Sequence, residues 1–154
     1  MNKILIAVDD TKSAKEIFGK CSEMCKCMSP SEVNLVYVEM FEGRSLMDDM
    51  LGDAELSTLR NVLEGSEYKN TLDVKAHKIL DYYKAAMEGN GCSAKIKKTV
   101  RSGHPADEII KVAQESKADM IIIGSRGKNV SKMFMGSVSR EVANNAEIPV
   151  LIMR

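Results

Sequence analysis

The chain lacks several features that would place it in a specialised class of protein. It has no tryptophan but 11 methionines, so much of its core would be built from flexible aliphatic side chains. Its 22 basic and 22 acidic side chains cancel, which argues against nucleic acid or an anionic membrane as the main partner. The longest apolar run, Ile4–Val8, is far shorter than the ~20 residues that span a bilayer. A hydrophobic content of 44% over 154 residues predicts one folded domain, residues 1–154.

A secretory signal is also missing from the sequence. A strand-like segment and then Asp9 and Asp10 follow the first residues at once, so we expect a cytoplasmic protein. Cys21, Cys25 and Cys27 are spaced C-x3-C-x-C, which is a poor template for zinc. In a helix the first two would share a face. We expect reduced, structural thiols, with redox sensing as the alternative.

Strand-like and helix-like segments alternate along the chain. The predicted strands are Lys3–Val8, Val33–Val38, Ala94–Val100, Asp119–Ile123 and Pro149–Met153. The first helix is predicted to begin at a capping box of Ser13 and Glu16, and a third helix at Pro105. A long helix around residues 72–87 and a last one over Ser137–Ala146 complete the pattern, while residues 39–65 are the least regular. This alternation predicts an α/β fold, with five parallel strands and helices on both faces.

Five parallel strands of this kind can reverse their winding beside the first strand. A ligand then binds beyond the carboxyl ends of the strands at that switch point, between strands 1 and 4. Asp9 directly follows the first strand, and Gly124 directly follows the fourth. The predicted topology therefore indicates where a site lies before any motif is considered. The lysines of the third strand, around Lys95 and Lys97, are typical of a sheet edge.

The segment from Gly124 to Ser139 carries the clearest chemical signal. Gly124–Gly127 and Gly136–Ser139 flank a polar loop, and glycines permit close backbone approach and positive φ. The second group opens a helix, whose free N–H groups favour a phosphate. The plainer interpretation stays open, in which Gly124 only ends a strand and Ser137 only caps a helix. The Walker P-loop and the dinucleotide fingerprint are both absent.

These residues, taken together, resemble the universal stress proteins of the ATP-binding type over nearly the whole chain. The matching segments are Ile4–Asp9, Leu35–Val38, Gly103–Ala106, Asp119–Gly127, Gly136–Ser139 and Ile148–Ile152. The resemblance implies a flavodoxin-like, adenine nucleotide alpha hydrolase-like fold. The family's nucleotide motif is G-x2-G-x9-G-[ST], whereas the second spacer here, Lys128–Met135, has eight residues. The loop over the phosphates should therefore be tighter or differently shaped.

The resemblance also implies the residues of an adenine-nucleotide site. Those expected there are Ala7, Val8 and Asp9 at the adenine and ribose; Val38 against the adenine; Ile123 and Gly124 beside the ribose and phosphates; Arg126 and Gly127 at the start of the phosphate loop; and Gly136, Ser137, Val138 and Ser139 on the phosphates. The ligand would be ATP, or ADP or AMP, with Mg²⁺ between phosphate oxygens. No catalytic residue and no protein metal ligand is expected. His104 should be a loop or cap residue.

The function implied is that of an ATP-binding regulatory protein of the stress response. Its last strand, Val150–Met153, would lie at a sheet edge and pair with a second copy to form a homodimer. A downstream protein partner, not identified by the sequence, would read the state of the site. Slow ATP hydrolysis is one alternative, although only Arg126, Lys128 and the metal would be available to assist it. A nucleotide-free dimeric scaffold is the other, if the shortened loop closes the site.

Overall fold

The computed structural model describes residues 2–39, 67–125 and 135–154. In these parts of the chain, strands and helices alternate in the order β1 (Lys3–Ala7), α1 (Lys12–Met28), β2 (Glu32–Glu39), α2 (Glu67–Gly89), β3 (Lys95–Ser102), α3 (Pro105–Ser116), β4 (Met120–Gly124), α4 (Ser137–Asn145) and β5 (Val150–Met153). Residues 40–66, which include all but the first residue of the least regular segment of the sequence, lie outside the described residues. No helix in the described ranges combines the length and apolarity that a membrane crossing requires.

The strands form one parallel sheet in the order β3-β2-β1-β4-β5. β1 is central, and Ala7 is in register with Val36 of β2 on one side and Ile123 of β4 on the other. The chain therefore winds outward from β1 in both directions. The predicted parallel α/β sheet, with its reversal of winding between strands 1 and 4, is confirmed.

Each face of the sheet has its own hydrophobic core. Ile4 and Ile6 of β1 point to one face, where they pack with buried residues of α1 and α2 such as Phe18. Leu5 points to the other face and packs with α3 and α4, where Val142 is fully buried. Alternate side chains of a strand point to opposite faces. Because both faces are covered, β1 has to be apolar along its buried length, as it is from Ile4 to Ala7.

The two edges of the sheet are protected differently. β3 exposes Lys95, Lys97 and Lys98 along one edge, and the Nζ of Lys97 lies 2.9 Å from the Oε1 of Glu32. This confirms the lysine-protected edge. β5 forms the other edge, as predicted, and its Val150–Ile152 are only half-buried. An apolar edge strand of this kind presents backbone groups that a further strand could pair with.

The predicted start of the first helix is wrong. α1 begins at Lys12 with Thr11 as its N-cap, and Thr11 Oγ1 accepts a hydrogen bond from the N–H of Ala14 at 3.1 Å. Ser13 is already helical, so it cannot cap. The reason is Asp9, whose Oδ1 accepts from the N–H of Thr11 and holds this residue in an extended conformation. The capping-box spacing of Ser13 and Glu16 is a coincidence within the first turn.

The cysteines lie as the helical spacing predicts. Cys21 and Cys25 are buried on one face of α1 whereas Cys27 is exposed, and all four cysteines are free. The hydrogen bond between Cys21 and Cys25, together with burial, raises the pKa of the Cys21 thiol well above its ordinary value. The Cys21 thiol therefore stays protonated within the core.

The N-cap assignment can be tested by comparing two neighbouring hydroxyl residues. Thr11→Ala should lower the free energy of unfolding by about 1 kcal/mol, because the N–H of Ala14 loses its acceptor. Ser13→Ala should change it by less than ~0.5 kcal/mol, since the hydroxyl of Ser13 makes no hydrogen bond with the described residues. Urea unfolding followed by circular dichroism measures both. Equal losses in the two variants would contradict the assignment.

Candidate functional site

The candidate site lies where the carboxyl ends of β1 and β4 meet. The two strands are hydrogen-bonded neighbours, so Ala7 and Ile123 end side by side. After β1 the chain turns toward the α1 face, and the helix that follows β4, α4, packs on the opposite face. This divergence opens a cleft between the two strand ends, which is the usual ligand position in such sheets.

The turn after β1 is held by Asp9. Its Oδ1 accepts hydrogen bonds from both the N–H and the hydroxyl of Thr11, at 2.8 and 2.6 Å. Among the described residues, every hydrogen bond of this carboxylate uses Oδ1, so Oδ2 remains available to a ligand. The adjacent Asp10 differs, because Lys15 Nζ lies 2.9 Å from its Oδ1. Of the two consecutive acids, Asp9 is therefore the better candidate for binding.

A tyrosine from α2 fixes the same turn from behind. The hydroxyl of Tyr83 donates a 2.7 Å hydrogen bond to the backbone carbonyl of Asp9. Its ring is fully buried and packs on Phe18, with ring centroids 4.4 Å apart. Burial raises the pKa of Tyr83 well above the ordinary value, so its phenol keeps the proton that it donates. The apolar periodicity of residues 72–87 predicts only that Tyr83 is a core residue; the polar tip of a buried tyrosine is the signal that indicates this second role.

The opposite side of the cleft is organised by the backbone of Ser125. Its N–H donates to the carbonyl of Met153 at 2.8 Å, and its carbonyl accepts from the N–H of Gly136 at 2.7 Å. The hydroxyl of Ser139 lies 3.3 Å from the same carbonyl and 3.0 Å from the carbonyl of Gly136. One residue thus ties β4 to β5 and to the start of α4. Sequence reasoning did not single out Ser125.

Within the described residues, no side chain caps the N-terminus of α4, which lies next to this anchor. Gly136 is the N-cap, with φ −63° and ψ 154°, and it has no side chain that could occupy the helix end. The alternative in which Ser137 caps the helix is wrong, since Ser137 is the first helical residue and is exposed. The expected positive φ is also absent at Gly136; among the described glycines it occurs at Gly91 and Gly103. The free N–H groups of the first turn remain, and they favour an anion.

The structure places the remaining predicted residues around these two anchors. Ala7, Val38 and Ile123 pack on the sheet face of α3 and α4. Val8 points to the other face, into the core beneath α1, so only its backbone borders the cleft. Gly124 is the last residue of β4, and Val138 is half-buried next to the buried Ser139. Arg126 and Gly127, which were expected to begin the phosphate loop, lie outside the described residues.

A cavity between α1 and the strand ends limits where a large ligand could sit. It measures about 30 Å³ and is lined mainly by apolar side chains, including Phe18, Cys21 and Tyr83. This volume accommodates only water-sized molecules. A nucleotide base would therefore lie beyond the strand ends and not inside the α1 core.

Comparisons with known proteins agree with this architecture. The model of the universal stress protein family matches residues 1–154. The chain belongs to the universal stress protein family. It is 32% identical to universal stress protein MJ0577 of Methanocaldococcus jannaschii, over 99% of this chain and 94% of that protein. It is 28% identical to YxiE of Bacillus subtilis, over 99% of both chains.

Solved structures of universal stress proteins share the fold. The structure of MJ0577 superposes with a TM-score of 0.74 at 27% identity, covering 99% of this chain and 94% of that one. The described fold is thus the flavodoxin-like, adenine nucleotide alpha hydrolase-like fold of the family.

Three other structures with this fold contain adenine nucleotides. A universal stress protein from Archaeoglobus fulgidus was solved with dAMP (TM-score 0.60, 20% identity, 100% and 98% coverage). Another was solved with cAMP (TM-score 0.65, 16% identity, 98% and 94% coverage). A third, from Arabidopsis thaliana, was solved with AMP (TM-score 0.60, 17% identity, 99% and 90% coverage).

The role of Tyr83 as a clamp on the strand end predicts different effects at two adjacent tyrosines. Tyr83→Phe should lower the free energy of unfolding by about 1 kcal/mol, because the Asp9 carbonyl loses its donor. Tyr82 is 51% exposed, so Tyr82→Phe should stay within ~0.5 kcal/mol of the parent protein. Chemical unfolding of both variants checks the comparison. If the two losses were the same, the hydrogen bond would not stabilise the turn.

Proposed function

We propose that this universal stress protein binds an adenine nucleotide beyond the carboxyl ends of β1 and β4 and acts as a regulatory protein of the stress response. The observation that carries the proposal is the N-terminus of α4, which no side chain of the described residues caps. It is tied to the end of β4 by the carbonyl of Ser125, which accepts from Gly136. Asp9 approaches from the end of the neighbouring strand.

The start of α4 suits phosphate groups. The N–H groups of residues 137–139 have no acceptor inside the helix, and the helix dipole adds a partial positive charge. Because Gly136 lacks a side chain, a phosphate can approach the backbone of the first turn closely. The exposed hydroxyl of Ser137 can add a further donor.

The strand ends suit the nucleoside. Ala7, Val38 and Ile123 share one face of the sheet and offer apolar contact to a planar base. Oδ2 of Asp9, which makes no hydrogen bond with the described part of the chain, can accept one from a ribose hydroxyl or an amine. The binding of dAMP, cAMP and AMP by proteins of this fold supports an adenine ligand over other nucleotides.

The number of phosphate groups on the nucleotide and the identity of the accompanying metal ion are finer parts of the proposal. Mg²⁺ would be held mainly by phosphate oxygens and water, so the protein need not supply a cluster of ligands. The spacer of eight residues between Gly127 and Gly136 is one shorter than the family motif. We expect ATP to bind with Mg²⁺, and a comparison of ATP, ADP and AMP tests whether the shorter loop still holds the terminal phosphates.

The role of the backbone N–H groups at the start of α4 can be tested by substituting Ser137, which leaves the helix in place. Proline is favoured at the first helical position, and Gly136 already has the extended conformation that proline requires before it. Ser137→Pro removes one N–H together with the hydroxyl, whereas Ser137→Ala removes the hydroxyl alone. We expect Mg-ATP to raise the melting temperature of the parent protein, Ser137→Ala to keep most of that shift, and Ser137→Pro to lose most of it.

Two controls make the result interpretable. The melting temperatures without nucleotide must be similar, which shows that Ser137→Pro still folds, and Asp9→Asn should weaken binding of adenosine as well as of ATP. Denaturing fresh protein and identifying any released nucleotide by mass provides an independent check. If no adenine nucleotide is released and none shifts the melting temperature, the proposal is wrong and a nucleotide-free scaffold is the better description.

The same proposal includes a homodimer formed through β5. The N–H of Ile121 donates to the carbonyl of Pro149, and that of Ser125 to Met153. Residues 149 and 153 therefore direct their carbonyls toward β4, and the backbone groups of Val150 and Ile152, between them, point to the open edge. A second β5 could pair there and cover the half-buried side chains of the strand. The dimer would then present a surface to a downstream protein that nucleotide binding alters.

The pairing predicts a specific effect of proline at position 152. Ile152→Pro removes an N–H that points to the open edge and leaves the bonds to β4 in place, so it should convert the dimer to a monomer. Ile152→Val keeps the N–H and an apolar side chain and should remain dimeric. Light scattering coupled to size-exclusion chromatography measures the mass, and circular dichroism verifies folding. A folded Ile152→Pro variant that stays dimeric would show that β5 is not the interface.

A further inference from the structure

Three side chains that could bind a metal ion converge where α3 meets α4. His104 Nδ1 lies 3.5 Å from Asp107 Oδ2, and His104 Nε2 lies 3.6 Å from Glu141 Oε2. One nitrogen or oxygen from each of the three residues falls within 4.8 Å of the other two. None of these residues belongs to the proposed nucleotide site, so that site does not account for the cluster.

The backbone brings the three residues together for identifiable reasons. His104 is the N-cap of α3, in an extended conformation, and its side chain makes no capping hydrogen bond, so the imidazole is directed elsewhere. Asp107 lies three residues later, in the first turn, on the same side of the helix as the cap. Glu141 comes from α4, which packs directly against α3. The cluster therefore joins two helices that are distant in sequence.

The donor set selects a class of ion. An imidazole nitrogen with two carboxylate oxygens suits Zn²⁺ and related divalent transition metals, whereas Ca²⁺ and Mg²⁺ take oxygen ligands alone. The side chains of His104, Asp107 and Glu141 are 51%, 58% and 38% exposed, so they can turn toward one ion and leave room for water as a further ligand. The imidazole–carboxylate separations exceed those of hydrogen bonds, so no strong bond has to be broken.

We propose that His104, Asp107 and Glu141 form a binding site for a divalent transition-metal ion of the Zn²⁺ class, which links the start of α3 to α4. The carboxylates of Asp107 and Glu141 repel each other, whereas both are attracted to a bound cation. Because Glu141 is one helical turn beyond Ser137, the site fixes the helix whose N-terminus forms the proposed phosphate site. Metal binding itself requires no nucleotide.

The test is a titration of the full-length protein with Zn²⁺ by calorimetry and with Co²⁺ by absorption spectroscopy. We expect one ion per chain and a Co²⁺ spectrum without thiolate charge-transfer bands. His104→Ala, Asp107→Asn and Glu141→Gln should each weaken binding by at least about tenfold, the loss that even an outer-shell substitution causes at many metal sites. His77→Ala removes the other histidine, on α2, and should bind as the parent does.

Several results would overturn the proposal. The first is the absence of saturable metal binding by the parent protein. The second is a His104→Ala variant that binds the ion as tightly as the parent does, which is the result expected if nucleotide phosphates held the ion. Thiolate bands in the Co²⁺ spectrum would assign the ion to the cysteines instead. Asp107→Asn and Glu141→Gln keep the side-chain shape, so a loss of binding in these variants with unchanged circular dichroism reports on ligation and not on folding.

Discussion

The pairing of β1 with both β2 and β4 is the constraint on which the other features depend. It places Ala7 between Val36 and Ile123, and it leaves both faces of the central strand to be covered by helices. The chain then leaves β1 toward one face, and the helix after β4 covers the other. The cleft at the strand ends is a direct consequence of this divergence and requires no special loop to create it.

Hydrogen bonds to main-chain groups form most of the framework of this cleft. On one side the Tyr83 hydroxyl holds the carbonyl of Asp9, and on the other the carbonyl of Ser125 holds the N–H of Gly136. A site made in this way depends on the positions of strands and helix ends more than on particular side chains. Substitutions that keep these hydrogen bonds should therefore be tolerated, whereas those that move a strand end or the start of α4 should not. The proposed metal site depends on the same packing, since Glu141 lies on α4.

Local patterns predicted the elements well and their ends less well. The apolar run of β1, Pro105 at the first position of α3 and the lysines of β3 each reflect a burial or backbone requirement that a short segment satisfies by itself. The start of α1 was mispredicted because Thr11 and Ser13 both suit an N-cap, and the choice depends on the carboxylate of Asp9. The roles of Tyr83 and Ser125 were missed because their partners lie far away in the chain or act through the backbone.

The order of strands and helices and the two-sided core were determined by the sequence, since periodicity records which face of each element is buried. The sequence also indicated the edge of the sheet, beside Asp9 and Gly124, at which we propose the site. The glycine and serine pattern from Gly124 to Ser139 also indicated the chemistry of that site. Only the tertiary structure decided which groups meet across the cleft at the strand ends, and which side chains of α3 and α4 come together. Those contacts join residues that are distant in the chain, so they depend on strand order and helix packing, which no local pattern encodes.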